Sequence, residues 1–296
     1  MTILLTGGSG QVGFELQRAL APLARLHAPS SAELDLADPD SVRTAIRRTR
    51  PDLIINPAAY TAVDRAESEP DRAVAINAVA PEVIGEEARR LGVAVIHFST
   101  DYVFPGTGTR PHVEDDPTGP QSVYGRSKLD GEQRLAVANP RHIILRTSWV
   151  YGARGHNFAR TMLRLAAERD ALRVVDDQIG APTSAALLAD VCAHLVRDVL
   201  RDDVHGFDGY GLYHLCAAGE TSWHGYARFV LAEALALGHA LRAGPDAVEP
   251  VGTDAYPTPA PRPLNSRLDT TRIRARFRLQ LPDWRDGVRH VLRLWS

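Results

Sequence analysis

Tyr124 and Lys128, four residues apart in Tyr-Gly-Arg-Ser-Lys, are the pair with the clearest chemical meaning in this 296-residue sequence. At the beginning of a helix, that spacing puts both side chains on one face. A phenol can deliver a proton to a carbonyl oxygen as hydride reaches the carbon. A neighbouring ammonium stabilises the phenolate left behind and can also bind ribose hydroxyls. Tyr-x-x-x-Lys recurs by chance in many helices, so its company decides. Lysine and arginine total 34, of which Lys128 is the one lysine and 34 − 1 = 33 are arginine. On a surface the two are largely exchangeable, but where a compact ammonium is required they are not. A chain that keeps lysine here alone points to a position that tolerates no guanidinium.

Two further features stand in the right order. Thr100, in Ser99-Thr100-Asp101-Tyr102-Val103-Phe104, follows an apolar run, at the strand end where a doubly wound sheet presents its ligand. Its hydroxyl could polarise a substrate oxygen beside Tyr124. In isolation it is equally a strand-end turn residue. Earlier, Thr6-Gly7-Gly8-Ser9-Gly10-Gln11-Val12-Gly13 places Gly7, Gly10 and Gly13 between the first strand and the first helix. There, backbone amides and the helix dipole can meet a pyrophosphate, and Gly13 lets helix pack closely on sheet. A carboxylate closing the second strand would bind the adenosine ribose and repel a 2′-phosphate. Pro29-Ser30-Ser31 offers two hydroxyls and no carboxylate before Glu33, so NADPH is expected, with NADH the alternative. Asp35-Leu36 is placed to contact adenine, although Asp35 reads as readily as a loop acid before a helix.

The elements that must hold these groups alternate. Residues 3–6, 25–28, 53–56, 93–98 and 143–147 read as strands, and 11–23, 41–48, 71–91 and 127–138 as helices. Such alternation implies an α/β, doubly wound parallel sheet of Rossmann type. We expect a dinucleotide-binding domain over residues 1–151. Residues 152–296 then form mainly a smaller, interleaved substrate-binding lobe, with some segments returning to the first domain. Helical patterns at 157–169, 186–200, 223–237 and 284–295 belong to this second half, as does a proline-rich, extended segment at 244–263 that runs over the surface or folds over a site.

Composition narrows the class. Hydrophobic residues make up 44% and charged residues 24%, with a formal net charge of −2. No general attraction to nucleic acid or an anionic membrane follows. Cys192 and Cys216 make neither a disulfide framework nor a metal cluster, and no metal site is expected. The chain opens into a strand without a basic, cleavable leader, and no run is long enough to span a bilayer, so a cytoplasmic enzyme is expected.

The sequence resembles the dTDP-4-dehydrorhamnose reductase family of extended short-chain dehydrogenases, from Thr2 to about Trp295. Besides the glycine loop and Tyr-x-x-x-Lys, the match includes Ala59-Tyr60-Thr61-Ala62-Val63-Asp64, Ser99–Gly106, Arg146-Thr147-Ser148-Trp149-Val150-Tyr151-Gly152, Asp177–Thr183, Tyr256-Pro257-Thr258-Pro259 and Arg262-Pro263. The resemblance implies reduction of the C4 keto group of dTDP-4-dehydro-6-deoxy-L-mannose to dTDP-L-rhamnose. It implies Tyr124 as proton donor, Lys128 as its electrostatic partner and Thr100 as a hydroxyl partner. Gly10, Gln11, Val12, Asp35, Leu36, Ala58, Ala59 and Tyr60 would contact the dinucleotide, and Thr100, Asp101 and Trp149 the sugar. Arg262 is a candidate for the diphosphate, since guanidinium forks suit phosphate oxygens. An indole such as Trp149 can also stack on a sugar or nicotinamide, or simply fill a core.

Some positions depart from the family. Pro57 stands where alanine is usual, and Pro261 where an arginine often precedes Arg262. Some members dimerise around magnesium held by glutamates. Glu15 matches one such position, but Ala186 and Leu294 fill the other two, so the expectation is a monomer or a homodimer without a magnesium bridge. Two rival readings share this framework: an epimerase or dehydratase that recycles bound NAD, and a non-catalytic subunit like the regulatory β-subunit of methionine adenosyltransferase. Stoichiometric NADPH consumption separates the first, and intact Thr100, Tyr124 and Lys128 weigh against the second.

Overall fold

The computed structural model describes residues 1–201 and 206–295. The first half runs β1 (Thr2–Leu5), α1 (Gln11–Leu20), β2 (Arg25–His27), α2 (Pro39–Thr49), β3 (Leu53–Asn56), α3 (Val63–Ala66) and α4 (Pro70–Val74). A π-helical turn (Ala75–Val79) leads into α5 (Ala80–Leu91), followed by β4 (Ala94–Thr100), α6 (Val123–Ala138) and β5 (His142–Thr147). Then come β6 (Val150–Tyr151), α7 (Phe158–Glu168), β7 (Leu172–Val175), β8 (Ile179–Gly180), β9 (Thr183–Ser184) and α8 (Ala185–Arg201). The chain closes with β10 (Gly211–His214), β11 (Thr221–Ser222), α9 (Trp223–Ala236), β12 (Val248–Val251), α10 (Thr271–Phe277) and α11 (Trp284–Arg293).

Six parallel strands form the central sheet in the order β10-β5-β4-β3-β1-β2. Strand side chains alternate between faces, and this sequence is apolar at both sets of positions. Ile3, Leu5, Leu53, Ile55, Ile96, Ile143 and Leu145 pack with α1 and α8. Leu4, Ile54, Val95 and Ile144 meet Val42 and Ile46 of α2 and Val83, Ile84 and Ala88 of α5. Each such side chain contributes roughly 1.5–3 kcal/mol by burial. Chain order reverses between β1 and β3, so a crevice opens at their carboxyl ends, where the glycine loop lies.

Several boundaries differ from the sequence reading for identifiable reasons. The fourth strand runs on to Thr100, because Ser99 and Thr100 pair with Arg146 and Thr147. Helix α2 begins at Pro39, with the Asp38 side chain accepting from the Asp40 amide and proline at the first turn. Helix α6 begins at Val123, four residues before the expected start, because the Ser122 hydroxyl caps the Gly125 amide. The long helix expected over 71–91 is interrupted by the π turn, just before Pro81.

The second half contributes to both parts of the molecule. Helix α8 packs on α1, and β10, within an apolar run not read as a strand, adds the sheet's outer strand beside β5. Tyr151, Phe158, Trp223, Tyr226 and Trp284 gather α7, α9 and α11 into a separate aromatic core. Within the proline-rich segment, β12 pairs in parallel with β7. No helix of the described residues is long and apolar enough to cross a membrane.

Candidate active site

The carboxyl ends of β1, β3, β4 and β5 surround a cavity of about 590 Å³. Gly7, Gly10, Gln11, Val12, Gly13, Ala58 and Ala59 line one side, and Thr100, Asp101, Tyr124, Lys128 and Trp149 also line it. Gly7 and Trp149, 149 − 7 = 142 positions apart in sequence, thus share one space.

The glycine loop has the shape of a cradle. Gly7 has φ +58°, a region costly for other residues, and its carbonyl accepts from the Gly10 amide at 3.0 Å. A Cβ on Gly13 would lie 2.0 Å from that same carbonyl oxygen, so only glycine allows α1 to begin this close to β1. The helix starts at Gln11 with no side-chain cap, leaving its first amides available. These features fit a dinucleotide pyrophosphate.

Tyr124 is buried, its ring edge-on to Tyr102 with centroids 5.5 Å apart. Burial pushes its phenol up to about 12, partly offset by a hydrogen bond with the Thr100 hydroxyl, while the nearby Asp101 charge raises it further. The phenol therefore holds its proton at neutral pH. Thr100 Oγ1 lies 3.1 Å from Asp101 Oδ1 and accepts from the Tyr102 amide at 3.2 Å. Asp101 is pushed up to about 6 by burial, against hydrogen bonds from Ser266 and Thr100.

One turn along α6, the Lys128 ammonium is buried and donates to the Phe98 carbonyl at 2.6 Å, with His97 Nε2 3.2 Å away. Burial pulls it down to about 8, although the Glu132 carboxylate raises it. Around the same cavity, Ser99 Oγ, Asp101 Oδ2, Thr147 Oγ1 and Ser148 Oγ are buried without a hydrogen-bond partner among the described residues. Buried polar atoms normally have partners, so these four suit the hydroxyls of a polar ligand.

Trp149 adopts φ +50°, rare for a bulky residue, and its indole stacks on Trp223 at 3.7 Å and 13°. Trp223 also lines a second cavity, of about 340 Å³, with Phe158, Gln178, Tyr256, Thr258 and Arg262. Arg262 is therefore not on the wall that Tyr124 lines. It donates to Asp64 Oδ2 at 2.8 Å and to the Ala260 carbonyl at 3.1 Å, and Asp64 also accepts from the Ala260 amide.

Three expected cofactor contacts lie off the cavity wall. Asp35 is exposed, its carboxylate accepting from the Ala37 amide, and Leu36 packs against the core near Leu4 and Val42. The Tyr60 hydroxyl donates to Glu69, and its backbone is held by Asn77. Ser30, read as a phosphate-accommodating hydroxyl, instead donates to Glu33 at 2.9 Å. Conversely, Ser99, Thr147, Ser148 and Trp223 line the cavity without having been singled out as site residues. The strand-end rule applied to β5 as well as β4 points to Thr147 and Ser148, whereas no local pattern marks Trp223.

Glu15 pairs with Arg18 at 3.1 Å, and Leu294 is exposed. No group of three or more His, Cys, Asp or Glu among the described residues could hold a metal ion.

A family model described as RmlD substrate binding domain matches residues 1–295. The dTDP-4-dehydrorhamnose reductase of Escherichia coli K12 is 51% identical over 99% of this chain and 97% of its own. That of Streptomyces griseus is 42% identical over 96% and 91%. Among solved structures, a dTDP-4-dehydrorhamnose reductase of Bacillus anthracis in complex with NADP has a TM-score of 0.88 at 34% identity, covering 98% of each chain. A Thermus thermophilus UDP-glucose 4-epimerase complex with NAD, at 20% identity and TM-score 0.77 over 100% of this chain and 99% of its own, shares the fold alone. With these identities sustained over nearly its full length, the chain belongs to the dTDP-4-dehydrorhamnose reductase family.

Proposed function

We infer that this protein reduces the C4 keto group of dTDP-4-dehydro-6-deoxy-L-mannose to give dTDP-L-rhamnose, with NADPH as reductant. The observation that carries the chemistry is the shared cavity, in which the glycine cradle, Thr100, Tyr124 and Lys128 line one space. The names of the relatives supply the substrate, and the NADP complex from Bacillus anthracis supports the cofactor. Bound NADPH supplies hydride to the keto carbon.

The chain's own residues do the rest. Tyr124, protonated at working pH, gives its proton to the substrate oxygen as charge grows there. Thr100 orients that oxygen, and the Lys128 ammonium stabilises the phenolate. Gly7, Gly10, Gln11, Val12, Gly13, Ala58 and Ala59 hold the dinucleotide, while Asp101 and Trp149 meet the sugar. Arg262, paired with Asp64 and lining the second cavity, is our candidate for the diphosphate. The dinucleotide-binding domain is residues 1–151 joined by α8 and β10, and the remaining segments form the substrate lobe. The protein acts in the cytoplasm, as a monomer or as a dimer without a magnesium bridge. Ala186 and Leu294 provide no side-chain oxygen for one.

Purified protein offered the dTDP-keto sugar with NADPH, and separately with NADH, tests this reading. The expected result is dTDP-L-rhamnose formed in step with NADPH oxidised. A changed sugar with no net cofactor consumption would indicate epimerase chemistry instead.

A further inference from the structure

The indoles of Trp149 and Trp223 lie almost squarely over one another, with centroids 3.7 Å apart and planes 13° from parallel. Two aromatic rings left to themselves slide into an offset or turn edge-to-face. So close an overlap is therefore imposed by what surrounds the pair. The Trp149 backbone sits in the left-handed region, at φ +50°. Among the described residues none accepts from its indole N–H, so packing and not a hydrogen bond sets the angle of that ring.

A short antiparallel ladder builds this packing. β8 and β11 pair Gly180 with Thr221 and Ile179 with Ser222. One step further, Gln178 and Trp223 stand where the next pair would fall, and there the Trp223 indole N–H donates to Gln178 Oε1 at 3.1 Å. Alternate residues of a strand share a face, so Gln178 and Gly180 look the same way. Gly180 has no side chain, and that space holds the Trp149 ring: a Cβ would lie 2.7 Å from it. The ladder thus forms a slot with Gly180 as one wall and Trp223 as the other.

Gln178 is fixed in its turn. An indole nitrogen only donates, so the amide oxygen must face Trp223 and the amide nitrogen must point away. That nitrogen donates to Thr253 Oγ1 at 3.0 Å, and the Thr253 hydroxyl donates to Asp177 Oδ1 at 2.6 Å. Every donor in this run meets an acceptor. Gln178 is buried, and turning its amide would set N–H against N–H where water cannot relieve the mismatch.

We propose that Trp223 is a positioning residue for Trp149, locked by Gln178 so that the Trp149 indole is held at one angle on the wall of the active-site cavity. The proposal rests on the reading that Trp149 meets the sugar, and adds the groups that aim it. Trp223 lines both cavities, so the ring that backs Trp149 also borders the space lined by Tyr256, Thr258 and Arg262.

Two measurements decide it, and the proposal stands only if both hold. The four tryptophans give four indole N–H signals in nitrogen-15 NMR of the whole protein, and loss in Trp149→Phe identifies that of Trp149. In wild type the ring current of Trp223 should hold this signal upfield. Gln178→Leu keeps both indoles and removes the acceptor, so the signal should move towards that of free indole. An unmoved signal would overturn the proposal. Second, kcat/KM for the dTDP-keto sugar is compared in wild type, Trp223→Leu and Trp223→Phe. Leucine leaves Trp149 unbacked and should lower it by roughly tenfold to a hundredfold, while phenylalanine, which keeps a flat face, should restore most of it. Equal losses in the two variants would show that Trp223 only fills the lobe, and would refute the idea. If Trp223→Leu does not fold, Gln178→Leu carries the kinetic test as well. A lowered kcat/KM there supports the lock, and a wild-type value counts against it. Failure of wild type to reduce the keto sugar would strike the proposed reaction, while the NMR comparison, which needs no turnover, still decides whether Trp223 sets Trp149.

Discussion

Gly131 of α6 and Asn77 of the π turn meet backbone to backbone: a Cβ on Gly131 would lie 1.9 Å from the Asn77 carbonyl oxygen. Four residues after Asn77 comes Pro81, which has no amide hydrogen to offer that carbonyl in an α-helix. The Asn77 side chain meanwhile donates to Ser127 Oγ at 3.0 Å and to the Tyr60 carbonyl at 3.1 Å. The break in the helix is therefore where α6, the carrier of Tyr124 and Lys128, docks.

Gly131→Ala should force this contact apart. We expect a loss of about 1–3 kcal/mol in urea denaturation, the usual cost of overpacking. A lowered kcat should accompany it, because the displaced helix carries both reactive side chains. Wild-type stability in that variant would show that the close approach has slack.

Lys128, pulled down to about 8 by burial, should set the alkaline limb of activity under the proposed mechanism. Turnover should be flat below that pH and fall above it, as the ammonium that stabilises the phenolate is lost. Stability responds with the opposite sign. Between about 8 and the ordinary lysine value near 10.4, the unfolded chain binds a proton that the folded protein does not, so this residue's contribution to stability rises with pH. Melting curves of wild type and Lys128→Met should accordingly shift in favour of wild type across that window while kcat declines. Parallel decline of both quantities would indicate unfolding rather than titration.

Much of this arrangement was legible because it is local. Gly7, Gly10 and Gly13 carry their own geometric demands, Tyr124 and Lys128 announce a helical turn, and the apolar strands of the first half declare a parallel sheet. What escaped depends on partners remote in sequence. β10 is a strand because β5 lies beside it. His97, inside an apolar run, looks like any strand residue until Asn56 and Lys128 arrive from either side. Arg262 reads as a candidate diphosphate ligand from its type, but its ion pair with Asp64, 198 positions away, has no local signal.

Gly180 sets the position of Trp149. A Cβ there would lie 2.7 Å from the Trp149 ring, which is stacked between this backbone and Trp223. Gly180→Ala should push the indole out of place and lower kcat/KM for the sugar nucleotide by on the order of tenfold to a hundredfold. Dinucleotide affinity, measured by titration without substrate, should stay unchanged. An equal loss in both would mean that Trp149 serves the cofactor rather than the sugar.

The central claim is that the Tyr124 hydroxyl supplies the proton for carbonyl reduction, and replacing only that oxygen tests it most directly. Tyr124→Phe keeps the ring that packs against Tyr102 and removes the phenol. NADPH binding should persist while reduction of the dTDP-keto sugar falls by roughly a hundredfold to ten-thousandfold. A phenylalanine variant that forms dTDP-L-rhamnose at close to the wild-type rate would contradict the account.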